Sequence, residues 1–148
     1  MTLHWIALSY SLPSGSSSSP RVALWRRLRQ LGAVSPTGSL YFLPQREETV
    51  EAFDWLAQEI RESGGEALVL RIDRLQGDAE ERLIELSRSA RAEEYRKIVS
   101  EADEAAAEGG RPDLRERLEK LRRRFAEVAR LDFFAAPFFL RARFLGLE

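Results

Sequence analysis

From His4 to Leu12 the chain reads HWIALSYSL, a nearly unbroken apolar run that predicts a strand buried on both faces. The polar stretch PSGSSSSP that follows is a loop. Its end, Ser19-Pro20, supplies an N-cap and a first-turn proline for a helix that runs to Leu31 and stops at Gly32. Two apolar sides fit this helix: Val22, Trp25, Leu28 and Leu31, or Leu24 and Leu28. Next, AVSPTGSLYFLP predicts two short strands about Thr37-Gly38, with Pro36 pushing its strand to an edge. Val50, Phe53, Ala57 and Ile60 form the stripe of a second helix, which has Glu47 and Glu48 at its positive end and Gly64-Gly65 after it. EALVLRI is a fourth strand with Ala67, Val69 and Arg71 on one face. The order strand, helix, strand, strand, helix, strand is the split βαβ plan of a ferredoxin-like sandwich, an α+β fold.

After Leu75 the period changes. Asp78 to Glu108 predicts one long helix, broken at Gly109-Gly110, and Pro112 opens a second. There Leu114, Leu118, Leu121, Phe125 and Val128 recur at spacings of four and three, a heptad seam of about two heptads. Either the two helices close into an antiparallel hairpin or one of them pairs with another chain. Phe133, Phe134, Phe138, Phe139 and Phe144 in the tail call for burial on the sheet, on the hairpin or on a second subunit. The expected organisation is a ferredoxin-like domain over residues 1–75. A helical hairpin and aromatic tail over residues 76–148 pack with it as one unit.

Composition narrows the chemistry. The 148 residues suffice for one domain with a core, and the absence of cysteine removes disulfides, thiolate metal ligands and thiol catalysis. The N-terminus has no basic lead, and no apolar run nears the ~20 residues of a membrane span, so a cytoplasmic protein without membrane contact is expected. A net charge of −1 hides segregation: residues 1–46 hold five arginines and no acid, residues 47–110 carry −10, and residues 111–148 carry +4. All but two of the bases are arginine, the side chain suited to bidentate contact with phosphate or carboxylate.

The candidate anion-binding residues follow from that segregation. Arg21, Arg26, Arg27 and Arg29 cluster on the first helix, where they would contact phosphates or a dianionic oxyanion, or else solvate its outer face. A second cluster, with Arg115, Arg117, Arg122, Arg123 and Arg124, surrounds the heptad seam but alternates with Glu116 and Glu119, the pattern of a salt-bridged surface. His4, the one histidine, lacks the neighbouring acid or nucleophile of a catalytic site and reads as structural. Ser14 to Ser19 carry hydroxyls without a nucleophile motif. Trp5, Trp25 and Trp55 fall at core-compatible positions. Adjacent acids on the long helix point about 100° apart and form no carboxylate pair. Glu101, Glu104 and Glu108 share a face and read as a solvated stripe.

WIALSYSLPSGSSSSPRVALWRRLRQLGAVSPTGSLYFLP, AFDWLAQEIRESGGEALVL, SARAEEYRKI and LDFF together resemble the N-terminal domain of the chromate resistance protein ChrB family, over about Trp5 to Phe134. The resemblance implies a chromate-responsive transcriptional regulator, although nothing here corresponds to the family's second, C-terminal domain. The first half is also distantly similar to the small CRISPR-associated ferredoxin-like nucleases and to the central domain of phenylacetate-type repressors. The nucleases bind a metal through an Asp near the end of the first strand, where this chain has Tyr10-Ser11 and no carboxylate.

The expectation is therefore a non-catalytic regulatory or interaction protein without a cofactor. Arg21, Arg26, Arg27 and Arg29, with Arg122, Arg123 and Arg124, would contact DNA, chromate or another oxyanion, and the chain would be a homodimer. The alternatives are a metal-dependent nuclease, disfavoured by the missing carboxylate, and an oligomerisation module for a separately encoded C-terminal ChrB-like protein.

Overall fold

The computed structural model describes residues 3–13, 15, 18–109 and 112–137. The chain divides into two compact units, Met1–Leu86 and Ser87–Glu148.

In the first unit β1 (Trp5–Ser11), α1 (Ser18–Gln30), β2 (Leu40–Pro44), α2 (Glu47–Glu62) and β3 (Glu66–Ile72) follow one another. The start of α3 (Ala79–Ala107) belongs to the same unit. The sheet is antiparallel, in the order β2-β1-β3, with Leu8 between Tyr41 and Val69. As the central strand, β1 is covered on both faces: Trp5, Ile6, Ala7 and Leu8 are all buried. The Trp5 indole donates to Glu80 Oε1 at 3.1 Å, so its one polar atom is satisfied.

The sheet has three strands rather than the expected four. The strand before Thr37-Gly38 reduces to a single bridge, in which Val34 and Phe42 exchange hydrogen bonds of 3.1 and 2.8 Å. Its sequence explains the arrest. The next bonded pairs in that register would be Pro36 with Leu40 and Gly32 with Pro44, and each contains a proline without an N–H. Gly32 is also committed elsewhere, to the end of α1 at φ +79°. The complete four-stranded order is thus not formed among the described residues.

Leu24 and Leu28 are the buried stripe of α1, while Val22 and Trp25 are exposed, which decides between the two apolar sides open to that helix. In α2 the buried stripe is Phe53, Leu56, Ala57 and Ile60, and Val50 is half-buried. At its N-terminus the Arg46 N–H donates to Thr49 Oγ1 at 2.9 Å, and the Thr49 hydroxyl donates to the Pro44 carbonyl at 2.6 Å. α2 packs on β3 and β1. Its exit requires glycine at position 65, where a Cβ would stand 2.6 Å from the Ser11 carbonyl and 2.8 Å from Ile60 Cγ2.

The second unit is built from the rest of α3 and α4 (Leu114–Arg130). Glu108 pairs with Arg117 and Glu101 with Arg124, each at 2.5 Å, and the Tyr95 hydroxyl donates to Asp132 Oδ2 at 3.0 Å. Partners that approach in sequence toward the connection define an antiparallel hairpin, so the seam is used within the chain. Tyr95, Ile98, Val99 and Ala102 meet Leu121, Phe125 and Val128 in its core. Of the aromatic tail, Phe133 and Phe134 are half-buried and meet edge to face, whereas Phe138, Phe139 and Phe144 lie outside the described residues. No helix among the described residues is long and apolar enough to cross a membrane.

Burial, reinforced by the Asp132 charge and hydrogen bond, pushes the Tyr95 phenol well above its ordinary value of 10.0. The native state keeps this proton where the unfolded chain has released it. The stability contribution is therefore complete below about pH 10 and is lost as pH rises beyond it. Urea unfolding should show a falling free energy between about pH 9.5 and 11.5, and Tyr95→Phe should flatten that slope. An unchanged slope would rule Tyr95 out as its source.

Candidate nucleic-acid and anion interface

Leu24 and Leu28 fix the orientation of α1, and everything about 100° or more from them turns to water. Arg29, Val22 and Arg26 lie on that outer side. Arg21 and Trp25, eight and four residues before Arg29 and exposed despite lying nearer the stripe, run down its flank at intervals of four with Arg29. Trp25 is 47% exposed, and the Arg29 guanidinium carbon lies 4.8 Å from its ring centroid, a cation–π contact. Arg21 and Arg26 are exposed and have no acidic partner among the described residues. Behind this face Tyr10 stacks on Tyr41, with ring centroids 5.9 Å apart. Burial and the neighbouring Tyr41 raise the Tyr10 phenol to about 12, against a smaller lowering pull from Arg21.

The exposure of Trp25, and of Trp55 at 57%, corrects the expectation that both tryptophans are core residues; Trp5 alone is buried. Trp25 stands one position from Leu24, and Trp55 one position from Leu56, so each is turned more than a quarter-turn from that buried leucine.

The other arginines predicted as anion contacts are placed differently. Arg27 is ion-paired with Glu59 across α1 and α2. Arg122 pairs with Glu119 at 3.2 Å and Arg124 with Glu101 at 2.5 Å, while Arg123 is exposed. Glu101 and Glu108, expected as part of a solvated stripe, are the acids that clasp the hairpin. The two arginine clusters belong to different compact units, α1 to the first and α4 to the second. His4 Nδ1 lies 3.6 Å from Asp73 Oδ1, both exposed, because the register that opposes Trp5 to Ile72 sets His4 opposite Asp73.

One arginine escaped the sequence reading. Arg91 is 4% exposed, with Nη2 2.8 Å from Glu94 Oε1 and with Nε and Nη1 unpartnered. Arg88 Nε, three residues earlier on the same helix, is likewise buried without a partner. The signal was its place in the buried stripe Leu83, Ser87, Arg91, Tyr95, Ile98 and Ala102, at steps of four and three. A guanidinium in such a stripe is a desolvated cation with free donors.

Comparison with curated proteins and with solved structures returned no match. The family model described as Protein ChrB, N-terminal, matches residues 21–111, from the first turn of α1 to beyond the end of α3, and the chain belongs to that family.

Proposed function

We propose that this chain is a non-catalytic regulatory domain of the ChrB N-terminal type that binds DNA through the outer face of α1. The observation that carries the reading is Trp25, half exposed under Arg29 and flanked by Arg21 and Arg26. A flat aromatic surface ringed by unpaired guanidinium groups offers stacking or apolar contact beside phosphate contacts. Arg27, Arg122 and Arg124 already neutralise glutamates and contribute less. On this reading the protein works in the cytoplasm as a homodimer.

The test is a titration with labelled duplex DNA at two salt concentrations. Three phosphate contacts imply roughly 40-fold weaker binding between about 50 and 200 mM salt. Arg21→Ala/Arg26→Ala should flatten that dependence, Trp25→Ala should weaken binding at both salts, and Arg124→Ala should change little. Binding that ignores salt, or that survives the α1 variants, removes the proposal.

A second reading, capture of a small oxyanion of the chromate kind, is favoured by Arg91. Its free Nε and Nη1 are donors of the type that fit a tetrahedral dianion.

A further inference from the structure

β3 closes one side of the sheet, and no strand among the described residues pairs with its outer edge. The phase of the ladder identifies the groups on that edge. Phe42 exchanges its bonds with Val34, so Tyr41 and Leu43 turn toward β1. Their partners there are Leu8 and Ile6, which leaves Trp5, Ala7, Ser9 and Ser11 to bond β3. Those four oppose Ile72, Leu70, Leu68 and Glu66. Ala67, Val69 and Arg71 therefore direct their N–H and C=O groups outward. The Arg61 guanidinium, which donates to the Ala67 carbonyl at 2.8 Å, agrees with that direction and occupies one lone pair.

Beyond the charges of Glu66 and Arg71 and the Arg61 contact to Ala67, this edge lacks the usual protections. Its seven residues contain no proline and no lysine. Arg71 lines a surface hollow with Glu47, Val50 and Asp54, so α2 covers the face that carries Val69 and Arg71. Leu68 and Leu70 stand on the opposite face, 62% and 40% exposed.

We propose that β3 pairs antiparallel with β3 of a second copy of this chain, about a two-fold axis at Val69. This names the seam of the homodimer in the reading above and rests on that part of it, independently of the DNA contact. The edge is self-complementary in three respects. Val69 bonds the partner's Val69, and Ala67 bonds the partner's Arg71, so all three outward residues find partners. Leu68 opposes the partner's Leu70 on one face, and the symmetry repeats this to give a strip of four leucines. Glu66 opposes the partner's Ile72, and the partner's Arg74, two residues beyond the end of that strand, brings the opposite charge toward it at both ends. A one-residue slip would set leucines against the other face. A two-residue slip toward the N-terminus would set Glu66 against the partner's Leu70. The heptad seam offers no competing surface, since Leu121, Phe125 and Val128 are buried within the hairpin.

Light scattering on the full chain should give twice its 16.9-kDa mass. Leu68→Lys/Leu70→Lys, which sets lysine against lysine, should raise the dimer dissociation constant at least about tenfold without altering the circular dichroism. Val69→Cys supplies the only thiol in a chain without cysteine. Its Cα should lie about 5.5 Å from its symmetry mate, within disulfide reach, and oxidation should link the two copies. A monomer at about 100 μM overturns the proposal, whatever the DNA titration shows. So does a dimer that survives the folded lysine variant. Should that variant unfold, the cysteine decides: a dimer left unlinked by oxidation overturns the proposal and a linked one supports it.

Discussion

Phe53→Ala should lower the unfolding free energy of the sheet-bearing unit by about 3–5 kcal/mol. Phe53 is fully buried, at 0% exposure, in the middle of the stripe that α2 lays on β1 and β3. Truncation loses the transfer energy of the ring and leaves a cavity. The wall cannot relax into it, because Leu56 and Ile60 on one side belong to a helix pinned at both ends. Thr49 fixes its start through the Pro44 carbonyl, and Gly65 fixes its exit against the Ser11 carbonyl. A loss of that size takes a large share of the ~5–15 kcal/mol typical of a domain. Urea titration followed by tryptophan fluorescence reads it, since Trp5 is buried in the same unit. Val50→Ala, at a half-buried site on the same helix, should cost about 1 kcal/mol. A Phe53→Ala loss no larger than that of Val50→Ala would show that the stripe is not the core of this unit.

What was legible in the sequence depended on whether local pattern or long-range pairing decides an element. β1, α2, β3 and the two long helices follow from runs and periods that their own residues carry. The missing strand does not. Val34 and Phe42 can pair, but continuation requires N–H donors at Pro36 and Pro44, and that emerges only once the register is known. Trp25 and Trp55, unlike Trp5, are not core residues because Leu24 and Leu56, one position away, hold the inward direction. Among the arginines, composition revealed the basic first helix, but the pairing of Arg27 with Glu59 and of Arg124 with Glu101 links residues far apart in sequence. Asp73 reached His4 in the same way, across two strands. Arg91 differs from these: its position in the stripe is visible in the sequence, but a charged residue does not count toward an apolar period.

That charge sets the second large effect. Glu94→Gln should destabilise the helical-hairpin unit by about 2–3 kcal/mol, because it leaves the Arg91 guanidinium desolvated and uncompensated. The figure lies below that for a fully buried pair, since the Glu94 side chain is one-third exposed. Arg91→Met should do the opposite and be neutral or stabilising by about 1 kcal/mol, as it removes the buried cation and keeps the apolar volume. The double variant should resemble Arg91→Met alone, because the glutamate is exposed enough to be solvated once its partner is gone. Urea unfolding of the four proteins at neutral pH completes the cycle. A harmless Glu94→Gln would mean that the guanidinium is not effectively desolvated. Sulfate or phosphate sharpens the comparison: either anion should raise the unfolding midpoint of the native chain and leave Arg91→Met unmoved if the free Nε and Nη1 accept an oxyanion. Equal shifts in both proteins would assign the effect to general salt exclusion and leave the α1 face as the anion contact of this fold.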